Sequence, residues 1–257
     1  MSFLSGILDI GRTVVGAISG STIASSIVKI AALSYISKKV NANANKDNNT
    51  QNDSNIDKGV RLQIPPAAEN KIPVLYGQGY FSGIITEAEM SNLNKTMFYC
   101  LTLSEKTGTL LSNGTSSTYT FKNIYWNDQR IIFKNDGITV DYTVDRTGTV
   151  DRSLDGQVSI YCYAGNSSSR VNPVGYNNTT TINAYDLFTN WTTSTHQMND
   201  LIFSVVRVDY NREKNVTGLG TVLYQVENSM KMPGDVLYDY MVSTRYGAGI
   251  AAGEILT

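Results

Sequence analysis

Apolar positions along this chain change their period twice. Over residues 3–40 they fall at helical spacing, with glycine the strongest interruption. From residue 60 to about 227 they come as short β-branched and aromatic runs bounded by Gly, Asn, Asp and Pro clusters. After Pro233 the helical spacing returns briefly. The middle region predicts strands at 60–64, 73–81, 83–86, 97–104, 119–125, 130–133, 138–144, 157–164, 201–210 and 221–226. The run 201–210 begins almost continuously apolar and then alternates, as a central strand does when its far end meets solvent. Residues 166–194 are poor in apolar side chains and predict a long excursion with one short helix near 183–188.

The two ends read differently. Pro233 and Asp235 suit a helix start, where φ is fixed and a carboxylate is favoured. Val236, Leu237, Tyr240 and Met241 then form one apolar stripe, Arg245 is expected in the last turn, and Gly247 and Gly249 end the run. At the other end, Gly16, Gly20 and Ala24 make a small-residue face that permits close helix approach. The uncharged run between Arg12 and Lys29 is shorter than the roughly 20 residues of a spanning helix. No basic residue precedes Arg12, so a secretion leader is not expected. Three uses stay open for this helix: packing on copies of itself or another subunit, a membrane segment, or docking on the body's own surface. The organisation expected is therefore an apolar helix at 1–40, a polar Asn-rich linker at 41–59, a β-rich body at 60–232 with an irregular insertion around 165–195, and a helix with its turn at 233–257. The fold class is mainly β (α+β).

Charge and chemistry narrow the function. Lys+Arg number 21 against 22 Asp+Glu, so no bulk field attracts nucleic acid or anionic membrane, and no nucleic-acid specificity is expected. Cys100 and Cys162 both sit in apolar strand-like runs and read as buried free thiols, with a disulfide open only if their strands are neighbours. His196 is the one histidine, which leaves no thiol-histidine cluster for zinc, and no metal or cofactor is expected. Gly77, Gly79 and Gly83 lack the spacing of a nucleotide loop and predict a relieved strand bend. Neither Glu87 with Glu89 nor Asp141 with Asp145 stands out from ordinary solvated pairs, and His196 reads as a loop histidine. The chain is not expected to be an enzyme.

Six segments carry a family resemblance. They are 73–83, with Val74, Tyr76, Gly77 and Gly83; 97–104; 121–131, with Ile124, Tyr125, Trp126, Asn127 and Asp128; 191–196, with Trp191 and His196; 205–210; and 245–249, with Arg245, Tyr246, Gly247 and Gly249. In order and spacing these are similar to the N-terminal part of the central tail-tip hub protein of long-tailed phages, the lambda host-attachment type. The resemblance covers roughly residues 70–257. It implies tail-tube-like β-sandwich or barrel modules between an N-terminal helix and a short C-terminal one. It further implies a structural virion component of the tail tip or baseplate that closes the distal end of the tube and adapts its symmetry. The assembly implied is a homotrimer whose tube-like modules form a pseudo-sixfold ring. Partners would be the tail tube or a distal tail protein and the tape-measure protein. Long hubs continue well beyond the Arg-Tyr-Gly segment, so a separate chain is expected to supply downstream domains unless this is a reduced hub. Candidate subunit-interface residues are Gly16, Gly20, Ala24, Tyr240, Arg245 and Tyr246. A membrane-tethered or secreted bacterial β-rich adhesin is the alternative, and a cell-wall-cleaving tail enzyme a minor third.

Overall fold

Among the described residues, eleven strands build two antiparallel sheets with a shared core between them. The structure is a computed structural model and describes residues 70–255. The expected N-terminal helix, its linker, the strand at 60–64 and the residues Gly16, Gly20 and Ala24 lie outside the described residues. The strands are β1 (Gln78–Phe81), β2 (Ile84–Ser91), β3 (Thr96–Glu105), β4 (Tyr119–Trp126), β5 (Gln129–Phe133), β6 (Val140–Val144), β7 (Val150–Asp151), β8 (Val158–Ala164), β9 (Arg170–Val171), β10 (Leu201–Asp209) and β11 (Val222–Asn228). A six-stranded sheet runs β1-β11-β4-β5-β6-β7 and a five-stranded sheet runs β2-β3-β10-β8-β9. Helix α1 (Pro233–Val242) and the short α2 (Ala252–Ile255) follow.

Alternation along the strands explains the sandwich. In β4, Phe121, Ile124 and Trp126 point inward, and β11 adds Val222, Tyr224 and Val226. Leu101, Leu103, Ile160, Ile202 and Val206 meet them from the other sheet. The shared interior even holds a polar tie, because the Ser204 hydroxyl donates to the Tyr224 phenol oxygen across the gap at 2.5 Å. At one corner the sheets join directly: Ile160 N donates to Ile138 O at 2.9 Å beside the bridge between Thr139 and Ser159.

Strand β10 lies between β3 and β8, at the centre of its sheet. That position accounts for its apolar run, since this sheet is covered on both faces. Ile202, Val206 and Val208 face the sandwich, while Phe203 and Val205 face a second cluster with Tyr163, Ala184, Phe188 and Trp191. The irregular excursion between β9 and β10 therefore forms a third layer. Its expected helix is a single 3-10 turn, Ala184–Asp186. The central position of β10 also decides the cysteines. Cys100 pairs with Val205 and Cys162 with Ser204, one on each side of β10, and the thiols belong to clusters on opposite faces. Both are free and buried, and burial pushes the Cys100 thiol up to about 12 and the Cys162 thiol higher still.

Two strand boundaries differ most from expectation. The 73–81 run forms a strand only from Gln78, because Gly77 takes φ +68° and turns the chain, with its N–H bonded to Met230 O at 2.9 Å. Strand β2 continues past residue 86 to Ser91, through Glu87 and Glu89. Its alternation is weak because it is an edge strand, with a bulge between Ile85 and Glu87.

Candidate docking surface at the C-terminal helix

Helix α1 docks by its acidic side. Asp235 and Asp239 are one turn apart and both are buried, at 5% and 4% exposure, while Leu237 and Tyr240 are 60% and 52% exposed. At about 100° per residue, Leu237 points away from both aspartates. The expected apolar stripe therefore does not seat the helix on the core; Leu237 and Tyr240 turn outward and Val236 and Met241 are half-buried.

The cause is the loop beneath the helix. Residues 107–111 leave β3 with backbone N–H groups unclaimed by a sheet, and the carboxylates accept them. Gly108 N donates to Asp239 Oδ1 at 2.8 Å, and Leu111 N donates to Asp235 Oδ1 at 2.8 Å. The second oxygen of Asp239 takes two phenols, from Tyr76 and Tyr246, each at 2.7 Å. Burial and the hydrogen bond to Asp239 hold both phenols well above the ordinary tyrosine range. Below them lies a closed polar core. Asn228, fully buried, donates to Leu75 O at 2.6 Å, to Thr107 Oγ1 at 2.8 Å and to the Tyr119 phenol at 3.1 Å. Every member has a partner, so this end of the sandwich is rigid despite its polarity.

Helix α1 stops at Val242, with Ser243 as its cap, so Arg245 is not in the last turn as expected. It lies in the turn that folds back along the helix. Ala248 N donates to Tyr240 O at 2.9 Å, Ile250 N to Met241 O at 2.8 Å and Gly249 N to Ser243 O at 3.1 Å. Only glycine fits at 247, because an added Cβ would lie 1.9 Å from Tyr240 O. This reversal carries Arg245 to the end of β3. Its guanidinium lies 2.5 Å from Glu105 and 3.2 Å from Asp200. Burial raises the Glu105 pKa, against the opposing pull of Arg245.

Of the predicted interface residues, Tyr240 is exposed, whereas Arg245 and Tyr246 are engaged within their own chain. Sequence reasoning missed Asp239, Tyr76 and Glu105. The readable signal was Asp235 and Asp239 themselves, two acids four residues apart on the side opposite the apolar stripe.

Beyond the helix, β2 offers an open flank. It pairs with β3 alone, and no backbone–backbone hydrogen bond joins its eight residues to any other described residue, although Ala88 N donates to Glu87 Oε1 of the same strand. The other carboxylates weighed from sequence have structural work. Glu89 accepts Thr189 N at 3.0 Å, Asp141 pairs with Arg152 at 2.7 Å, and Asp145 accepts Thr147 N and Thr149 N in a turn, each at 2.8 Å. His196 stacks on Trp191 at 5.1 Å, with Thr195 Oγ1 2.7 Å from its Nδ1. Among the described residues no group of three His, Cys, Asp or Glu could hold a metal ion, and no helix is long and apolar enough to cross a membrane. No model of a known protein family matches the chain, and neither does any curated protein.

Proposed function

We propose that this chain is a structural component of a phage tail tip or baseplate, forming the hub or part of it as a homotrimer in the virion. The observation that carries the reading is the inverted helix α1. Its polar side is spent on the body, and Leu237 and Tyr240, 60% and 52% exposed, are left for a partner together with the N-cap Met232, 61% exposed. Exposed apolar side chains grouped on one element favour association over solvation. The open β2 edge supports the same reading, since unpaired backbone groups in a row invite strand addition. Three of the six segments that carry the tail-tip resemblance lie in or beside this end of the molecule. Tyr76 comes from the first, Glu105 follows the second, and Arg245 and Tyr246 come from the last.

In this role the rigid sandwich acts as a wall unit and α1 as its contact to a sister subunit. The tail tube or a distal tail protein and the tape measure would dock on the assembled ring. Sedimentation equilibrium of the full chain tests the reading. The expected mass is three times 28.2 kDa. Leu237→Glu and Tyr240→Glu should each shift the equilibrium to monomer without lowering Tm. A wild-type chain that stays monomeric at high protein concentration sinks the proposal.

A further inference from the structure

The outer face of the six-stranded sheet carries a groove unrelated to the docking helix. Its floor is a cross-strand row fixed by register. Leu223 sits opposite Tyr125, Tyr125 opposite Arg130, and Arg130 opposite Val144. Tyr80 extends the row onto β1, with its ring centroid 6.4 Å from that of Tyr125 and tilted by 49°. Their neighbours Tyr224, Trp126 and Ile131 are buried, so alternation sends this row outward. Two hairpin turns raise the rim. Asn127 and Asp128, at φ +48° and +67°, close the β4–β5 turn, and Asp145 and Arg146 begin the β6–β7 turn. The groove encloses about 450 Å³.

Its charges are not spent on ion pairs. Among the described residues, Arg130, Arg146 and Asp128 take part in no ion pair. Asp145 spends only Oδ1, on Thr147 and Thr149, and those hydrogen bonds hold its pKa below the usual carboxylate value. Two guanidinium groups and two carboxylates thus surround two phenol rings with no net charge.

We infer that this groove binds a neutral oligosaccharide. The C–H face of a pyranose ring is weakly positive and apolar, and it rests on the negative face of an aromatic ring such as Tyr80, 47% exposed. Sugar hydroxyls both donate and accept, which matches guanidinium donors alternating with carboxylate acceptors through charge-assisted hydrogen bonds. A charged ligand gains little from a rim that sums to zero. A peptide strand gains little too, because the row crosses β11, β4, β5 and β6, and the interior strands have their backbones paired on both sides. Nor is it built as the centre of a protein interface, which is depleted in charge.

Calorimetric titration of the full chain with cellotetraose, chitotetraose and maltotetraose tests this, with tetragalacturonate as the acidic arm. At least one neutral tetrasaccharide should bind, and Tyr80→Ala and Arg130→Ala should each weaken it at least tenfold with Tm unchanged. The inference fails if no neutral sugar binds, if only the acidic one binds, or if both variants bind as wild type does. It also fails if Tyr80→Ala alters only particle mass, which would make the face a protein contact. Particle mass is read separately, so either outcome leaves the trimer proposal standing or falling by its own measurement.

Discussion

Two segments are fastened to the sandwich from outside, and they are held by opposite physics. The excursion before β10 is held by rings: Phe188 and Trp191, stacked on each other at 4.4 Å, share one buried cluster with Tyr163, Phe203 and Val205 of the sheet, and Phe98 of β3 meets Phe188 at 6.0 Å. Helix α1 is held by two carboxylates and shows its apolar side to solvent. Apolar burial stabilises in proportion to area and tolerates small shifts. A buried carboxylate stabilises only while each donor stays in place, and loses much when one is displaced. The excursion therefore belongs to the folding core, whereas α1 is a separately removable element with a free outer face.

Breaking the aromatic attachment should have the largest effect. Phe203→Ala removes a fully buried ring from under the excursion and should cost about 3–5 kcal/mol, read as a loss of the whole cooperative transition in urea. Asp239→Ala comes next, at about 2–3 kcal/mol, since two phenols and one backbone N–H lose their acceptor. Its signature should be local: amide exchange rises across 233–242 while 184–191 keeps its protection. Equal loss of protection in both segments would erase the distinction drawn here.

Alkali sharpens the comparison further. Tyr76 and Tyr246 have folded pKa values raised above the ordinary 10.0, so their stabilising contribution is complete below that value and is lost as pH rises through the raised ones. Tyr76→Phe with Tyr246→Phe should start less stable at neutral pH and show a flatter decline above pH 10, followed by tyrosinate absorbance and circular dichroism. Arg245→Ala should cost only about 1 kcal/mol, because the guanidinium is partly in water although Glu105 is not. The smallest effect belongs to Leu237→Ser, within about 0.5 kcal/mol in urea, since an exposed side chain leaves no cavity.

Much of the body was legible because β-strands with one buried face announce their period. The runs at 97–104, 119–125 and 157–164 match β3, β4 and β8 closely, and the continuous apolar start of β10 told of cover on both faces. The two-residue strands β7 and β9 were not legible, since two residues hold no period. Strand β2 was only half seen, because Glu87 and Glu89 on an edge interrupt the alternation. The groove over Tyr80, Tyr125 and Arg130 left no sequence signal at all, because its row is assembled from five strands by register.

The helix at Pro233–Val242 shows where the division falls. Local chemistry settled that a helix would start at the proline, but it placed the end at Gly247 and Gly249, whereas the helix stops at Val242 and folds back through Gly247, where an added Cβ would strike Tyr240 O. Which side faced inward was not local. An apolar stripe normally seeks the core, but the surface awaiting this helix offered the N–H groups of Gly108 and Leu111 and the phenol of Tyr76. Those part-buried donors find carboxylate acceptors only when the acidic side faces inward, so the distant loop, and not the helix's own pattern, set its orientation.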